Sequence, residues 1–203
     1  MPEQPRRSPR TIHDPQVLRA IAHPVRNQIL DELDAQGPLR AADIARELDI
    51  PANQASFHLR QLAKYGLVRE DPDAARDRRD RVWKIVDDAG TTVSFEELEA
   101  TPGGAAASAV FRDNAASWGQ YVVQQAWAAE RTPDTVRQIV SSALRLSKDE
   151  AEDLARELDA VVVGWSARRQ SELDMLEDGT ERRTYLYYGV LQPHPGRPTA
   201  EDA

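Results

Sequence analysis

Residues 41–70 read AADIARELDIPANQASFHLRQLAKYGLVRE. Ala41, Ile44, Ala45 and Leu48 recur at helical spacing, which predicts a helix from about Arg40 to Leu48. Asp49-Ile50-Pro51 is a tight link. A second helix, about Ala52 to Tyr65, buries Ala55, Leu59 and Leu62, and Gly66 ends it as a left-handed cap. Two helices joined by a turn of three or four residues form a helix-turn-helix unit.

Downstream, Leu67 to Glu70 reads as a short strand, Asp71 to Asp80 (DPDAARDRRD) as a polar tip and Arg81 to Val86 (RVWKIV) as a second strand. A hairpin directly after a helix-turn-helix is a wing. Upstream, Asp14-Pro15 signals a helix start, because the aspartate caps free N–H groups and proline fits the first turn. That helix carries Val17, Leu18, Ile21 and Ala22 and stops at His23-Pro24, since the residue before proline is pushed out of the α region. From Val25 to Gln36 a further helix buries Val25, Ile29, Leu30 and Leu33, and Gly37-Pro38 closes it.

Taken in order, LRAIAHPVRNQILDEL (18–33), the stretch 41–70 and the wing strand RVWKIV resemble the arsenic-repressor (ArsR) type of winged-helix transcription regulators. The resemblance covers about a third of the chain. It implies that the second helix of the motif enters the major groove, that the wing touches adjacent backbone and that a symmetric dimer reads a palindrome. Three positions depart from the family pattern. Arg40 stands where Ser or Thr usually caps the third helix, Asp49 where the turn often has Gly, and Pro51 where Ser commonly caps the recognition helix. Asp49 tolerates a left-handed turn, and Asp43 suits the positive end of the third helix. Some members sense metals through residues on the third helix, but Arg40 to Leu48 holds neither Cys nor His, so direct metal sensing is not expected.

Independently of the resemblance, turning Ala55, Leu59 and Leu62 inward at about 100° per residue places Asn53, Phe57, Arg60 and Lys64 on the opposite face, with Gln54 and Ser56 flanking. Asn and Gln can pair bidentately with adenine, Arg with guanine or phosphate, and Phe57 can contact a thymine methyl. The bland alternative is an ordinary solvated face. In the wing, Arg76, Arg78, Arg79 and Arg81 suggest phosphate or minor-groove contact. The interleaved Asp77 and Asp80 equally suit an exposed polar loop. Arg6, Arg7 and Arg10 form a weaker basic set.

The chain has 203 residues and a net charge of −8, which taken alone argues against nucleic acid. The charge is unevenly spread. Residues 1–90 carry 15 Lys+Arg against 15 Asp+Glu, and residues 91–203 carry 11 against 19. An acidic second half would repel DNA and leave the near-neutral half to face it. Cysteine is absent, which excludes disulfides and thiolate metal sites. No membrane-length apolar run or secretory signal is present, so a cytoplasmic address is expected. Arginine outnumbers lysine 23 to 3, as in a GC-rich bacterial genome, which weakens any argument from arginine abundance alone.

In the second half, Phe111, Ala115, Trp118, Val122 and Ala126 predict a helix over Ala105 to Arg131. A shorter helix is expected over Asp134 to Leu146 on Val136, Ile139, Val140, Ala143 and Leu144. Ser147-Lys148-Asp149-Glu150 matches a capping box opening a last helix through Leu154, Leu158, Val161 and Trp165 to about Met175. Glu181 to Gln192 has the bias of a strand. Trp118, Tyr121, Trp127, Trp165, Tyr185, Tyr187 and Tyr188 suit a dimer core, with a pocket for an unidentified small-molecule effector as the other use.

The expected class is therefore mainly α (α+β). It comprises a disordered basic arm (1–12), a winged helix-turn-helix domain (13–90), a linker (91–103), a helical dimerisation or effector region ending in a strand (104–192) and a flexible tail (193–203). No metalloprotease helix, Walker loop, dinucleotide fingerprint or nucleophile elbow is present, so neither enzyme activity nor a cofactor is expected. Gly103-Gly104 reads as a flexible start to a helix. Asp149, Glu150, Glu152 and Asp153 read as acids suited to a helix's first turn rather than a cation site. His13, His23, His58 and His194 are scattered and read as core or surface residues, not ligands. The leading reading is a homodimeric, sequence-specific DNA-binding repressor. The alternative is a winged-helix protein-interaction module that never touches DNA.

Overall fold

The computed structural model describes residues 10–75, 81–86, 91–128, 134–173, 180 and 182–196. In chain order the elements are β1 (Arg10–Ile12), α1 (Pro15–Ile21), α2 (Pro24–Gln36), β2 (Leu39–Arg40), α3 (Ala41–Glu47), α4 (Ala52–Lys64), β3 (Val68–Glu70), β4 (Val82–Ile85), β5 (Thr91–Val93), α5 (Phe95–Glu99), α6 (Gly104–Ala128) and α7 (Lys148–Leu173). The fold is mainly helical with a small antiparallel sheet, as expected. By internal contacts it divides into two units, Met1–Trp118 and Gly119–Ala203.

The first unit begins as its caps dictate. Asp14 Oδ1 accepts from the Gln16 N–H at 2.7 Å, and Pro15 occupies the first turn of α1. α3 lacks a capping hydroxyl, and Asp43 supplies the substitute by accepting the Arg40 backbone N–H at 3.4 Å. Asp49 adopts φ 50° between α3 and α4, the left-handed turn its side chain tolerates. Gly66 at φ 66° follows the end of α4. Leu18, Ile29, Leu33, Ile44, Ala55, Leu59, Leu62 and Val68 form one continuous core around α4.

The wing hairpin pairs β3 with β4 in the register Val68↔Ile85, Arg69↔Lys84 and Glu70↔Trp83. A third strand escaped the sequence reading: β2 pairs antiparallel with the other edge of β4, Leu39 opposite Trp83. At the hairpin's distal end Asp71 is buried, and the Lys84 ammonium donates to it at 2.7 Å. That bond holds the Asp71 carboxyl below the usual carboxylate range. The expected tip residues 76–80 lie outside the described residues.

Three expectations for the first unit need correction. Arg10–Ile12, assigned to a disordered arm, form β1, which pairs in parallel with β5 in the former linker. Ile12 is almost fully buried, and this apolar anchor offsets the cost of ordering the segment. Residues 1–9 lie outside the described residues. The linker 91–103 is likewise part of the packed unit, since Leu98 of α5 is completely buried in the same core. Gly103-Gly104 is a tight corner rather than a flexible start. A Cβ on Gly104 would lie 1.7 Å from the Leu98 carbonyl oxygen, and Gly103 sits at φ 77°.

In the second unit, the capping box before α7 is present. The Glu150 N–H donates to Ser147 Oγ at 3.3 Å, and the Ser147 N–H donates to Glu150 Oε2 at 2.7 Å. Residues 134–146, expected as a helix, form none. Thr135, Val136, Ile139, Val140, Ser141 and Ser142 are β-branched or backbone-competing types, and Val136, Val140 and Leu144 fit period two as well as period four. Residues 182–192, expected as the terminal strand, have no ladder among the described residues. Side chains tie these segments down. The Val136 N–H donates to the Tyr185 hydroxyl at 3.3 Å, and the Tyr188 hydroxyl lies 2.5 Å from where a Cβ on Gly119 would stand.

Replacing Leu59 by Ala removes a fully buried side chain at the centre of the core and should cost about 3 kcal/mol. Gly104→Ala should cost about 2 kcal/mol by forcing α5 and α6 apart. Urea denaturation of both variants tests this, and a midpoint unchanged in either would contradict the packing described.

Candidate nucleic-acid interface

α4 is amphipathic because its apolar residues repeat at three and four positions. Ala55, Leu59 and Leu62 are fully buried, and burying them leaves the opposite face to solvent. Asn53, Phe57, Arg60 and Lys64 lie on that exposed face, while Gln54 and Ser56 at its margins are half-buried. Phe57 is 50% exposed, an apolar ring on this outer face that can contact a thymine methyl. The Lys64 ammonium rests 5.5 Å from the centre of the Tyr65 ring.

The start of α4 is also open. Pro51 provides no side-chain cap, so the first turn keeps backbone N–H groups at the positive end of the helix dipole, a favourable place for phosphate. The Asn53 side-chain oxygen accepts from the Gln54 N–H at 3.0 Å, which uses one of its two lone pairs and leaves the amide NH2 free to donate.

In the wing, Arg81 is exposed beside β4 and forms an ion pair with Glu70 at 3.6 Å. Arg76, Arg78 and Arg79 lie outside the described residues, as do Arg6 and Arg7. Arg10 is on β1, and the α4 face and Arg81 belong to one compact unit.

Sequence reasoning missed what lies beneath α4. The His58 ring is buried and packs 4.7 Å from the His23 ring at the start of α2, with Arg26 one turn further along. Burial lowers the pKa of both imidazoles from the usual 6.5. Arg26 adds to the shift at His23, and His23 and then Arg26 add to it at His58. The Nδ1 atoms of both rings are buried without a hydrogen-bond partner among the described residues. The signal was available, because His23 precedes Pro24 and His58 falls one residue before Leu59 on the inward side.

Among the described residues no three His, Cys, Asp or Glu side chains come together as a metal site would need. A cleft lined by Pro24, Asn27, Phe111, Asn114 and Trp118 has room for about one water molecule, so it is no ready effector chamber. No described helix is long and apolar enough to cross a membrane.

A family model described as a helix-turn-helix domain matches residues 21–71, from the end of α1 through β3. This span contains most of the residues on which the ArsR resemblance rests. No curated protein matches the chain. Among solved structures, the chain is similar to the homodimeric winged helix-turn-helix DNA-binding domain of Mb0332 from Mycobacterium bovis, "a possible ArsR-family transcriptional regulator". Identity there is 22% over 58% of this chain and 83% of that one, with a TM-score of 0.31. The YusO protein of Bacillus subtilis is 14% identical over 74% of this chain and 84% of that one, with a TM-score of 0.33. A variant of S. aureus MepR bound to an oligodeoxyribonucleotide is 18% identical over 73% and 78%, with a TM-score of 0.26. With superpositions this loose, the winged helix-turn-helix assignment rests on the chain's own topology and on the family match.

Because the folded pKa of His58 is depressed, the unfolded chain takes up its proton first as pH falls. The contribution of the buried neutral His58 to stability is full above about pH 6.5 and declines below it. His58→Gln should blunt that decline. Thermal denaturation at pH 7.5 and 5.5 checks this, and an equal loss in wild type and variant would show that the buried imidazole is not responsible.

Proposed function

We propose that this chain, whose residues 21–71 match a helix-turn-helix domain and whose hairpin supplies a wing, is a sequence-specific DNA-binding transcription regulator. In this reading it acts as a homodimeric repressor on a palindromic operator. The observation that carries the proposal is α4, a helix with one face locked in the core and the other presenting Asn53, Phe57, Arg60 and Lys64.

The chemistry divides by position. Asn53 and Gln54, near the start of the helix, are where a recognition helix normally meets base edges, and amides suit adenine. Arg60, about two turns on, suits guanine or a phosphate, and Lys64 at the far end suits phosphate. Phe57 and Ser56 lie between them, an apolar contact for thymine beside a small hydroxyl. Arg76, Arg78, Arg79 and Arg81 are assigned to the backbone or minor groove beside the wing. The near-balanced charge of residues 1–90 favours recognition over non-specific attachment, since the acidic remainder repels DNA at long range.

Selection of bound duplexes from a random pool at stated salt tests the proposal, with Asn53→Ala/Arg60→Ala as control. Both side chains are exposed, so the variant should keep wild-type stability within about 0.5 kcal/mol. The expected result is an enriched palindrome that the variant loses by at least tenfold in affinity. No enrichment by the folded wild type would shift the reading to a winged-helix protein-interaction module.

A further inference from the structure

The second unit, Gly119–Ala203, has no apolar core of its own among the described residues. Among the described residues, every buried apolar side chain lies between Ile12 and Ala107. In the second unit Trp127 is 73% exposed, Val136 78% and Trp165 58%, and Tyr185, Tyr187 and Tyr188 are exposed as well. A segment of this length that fully buries no described apolar side chain does little to offset the entropy of holding a 26-residue helix in place. Something has to cover it.

α7 carries the pattern that identifies the cover. Ala151, Leu154, Leu158, Val161 and Trp165 alternate three and four residues apart, which is the a/d spacing of a coiled-coil seam. It extends about 21 Å along the helix. Leu158, Val161 and Trp165 are exposed, while Ala151 and Leu154 are half-buried. The stripe thus meets solvent for most of its length.

Charge along α7 selects both partner and direction. Residues 148–160 hold six carboxylates against Lys148 and Arg156, whereas residues 161–173 hold Arg168 and Arg169 against Glu172. Two copies lying parallel would set one strongly acidic half against the other. Lying antiparallel, each acidic half meets the basic end of its mate, and the helix dipoles oppose favourably.

We infer that α7 pairs antiparallel with α7 of a second copy of this chain, through the seam Ala151-Leu154-Leu158-Val161-Trp165, about a two-fold axis close to residues 159 and 160. In that register Leu158 meets Val161 and Leu154 meets Trp165 across the axis, setting the smaller side chain of each pair against the larger. A two-fold contact of this kind is self-complementary and closes at two copies. The inference rests on the homodimer of the proposed function and gives it a surface, one that a contact through the first unit alone would not require.

Sedimentation of the full chain, wild type against Leu158→Glu/Val161→Glu, tests the seam. Both substitutions fall on exposed positions outside the first unit's core. The expected result is a dimer in wild type and a halved mass in the variant. A wild-type monomer, or a variant that stays dimeric, would overturn the seam.

Direction is read separately in a chain with no native cysteine. Leu154→Cys and Trp165→Cys chains, mixed and oxidised, should bridge to each other in preference to themselves. Self-bridged Leu154→Cys, or no mixed bridge, would overturn the antiparallel arrangement. Failure here is distinguishable from failure of the DNA reading. Duplex enrichment by a chain that fails these tests leaves that reading standing, and a seam-bridged dimer that enriches no duplex removes it.

Discussion

Everything in the first unit depends on the burial of one face of α4. Ala55, Leu59 and Leu62 are completely excluded from water, packed with Ile29 and Leu33 of α2 and Ile44 of α3 in one core. At about 25 cal/mol per Å² of apolar surface, those three side chains alone contribute several kcal/mol. The same constraint orients the outer face. A helix turns about 100° per residue, so it cannot bury Leu59 without presenting Phe57 and Arg60 outward. Stability and the outward set of side chains are two consequences of one rotation about the axis of α4.

The rest of the unit holds that helix at a defined angle. The Asp49 turn sets α3 against α4, and the wing sheet β2–β4–β3 anchors the chain after α4 through buried Val68, Val82 and Trp83. Lys84 neutralises Asp71 at the distal end of the hairpin, so that end carries a buried, paired charge instead of a solvated one. β1, β5 and α5 then close the unit from both ends of its sequence. This closure explains why the compact unit runs to Trp118, well past the end of the wing.

Below α4 the packed His23 and His58 rings add a polar layer whose burial favours the neutral imidazoles. In the second unit the balance is reversed, with long helix, aromatic side chains and acidic charge but no fully buried apolar side chain among the described residues. The contrast is physical: the first unit encloses its apolar residues, whereas in the second the apolar stripe of α7 stands largely in solvent.

Signals acting within a turn or two of helix were legible directly. The Asp14 and Ser147 caps, the stop at His23-Pro24, the faces of α2, α3 and α4 and the wing hairpin all follow from neighbours in sequence, so the helix-turn-helix and its outward residues Asn53, Phe57, Arg60 and Lys64 could be read from the residues alone. The remainder joins residues far apart. β1 meets β5 by pairing Arg10 with Thr91, β2 joins the wing by pairing Leu39 with Trp83, and Gly104 is needed only because α6 starts against the Leu98 carbonyl. The segment from 134 to 146 shows the converse, since its apolar spacing suited helix and strand alike and propensity alone could not choose. Sequence determined the elements whose reasons are local; tertiary structure decided which distant strands meet and which faces find cover, because those energies exist only once the chain has closed on itself.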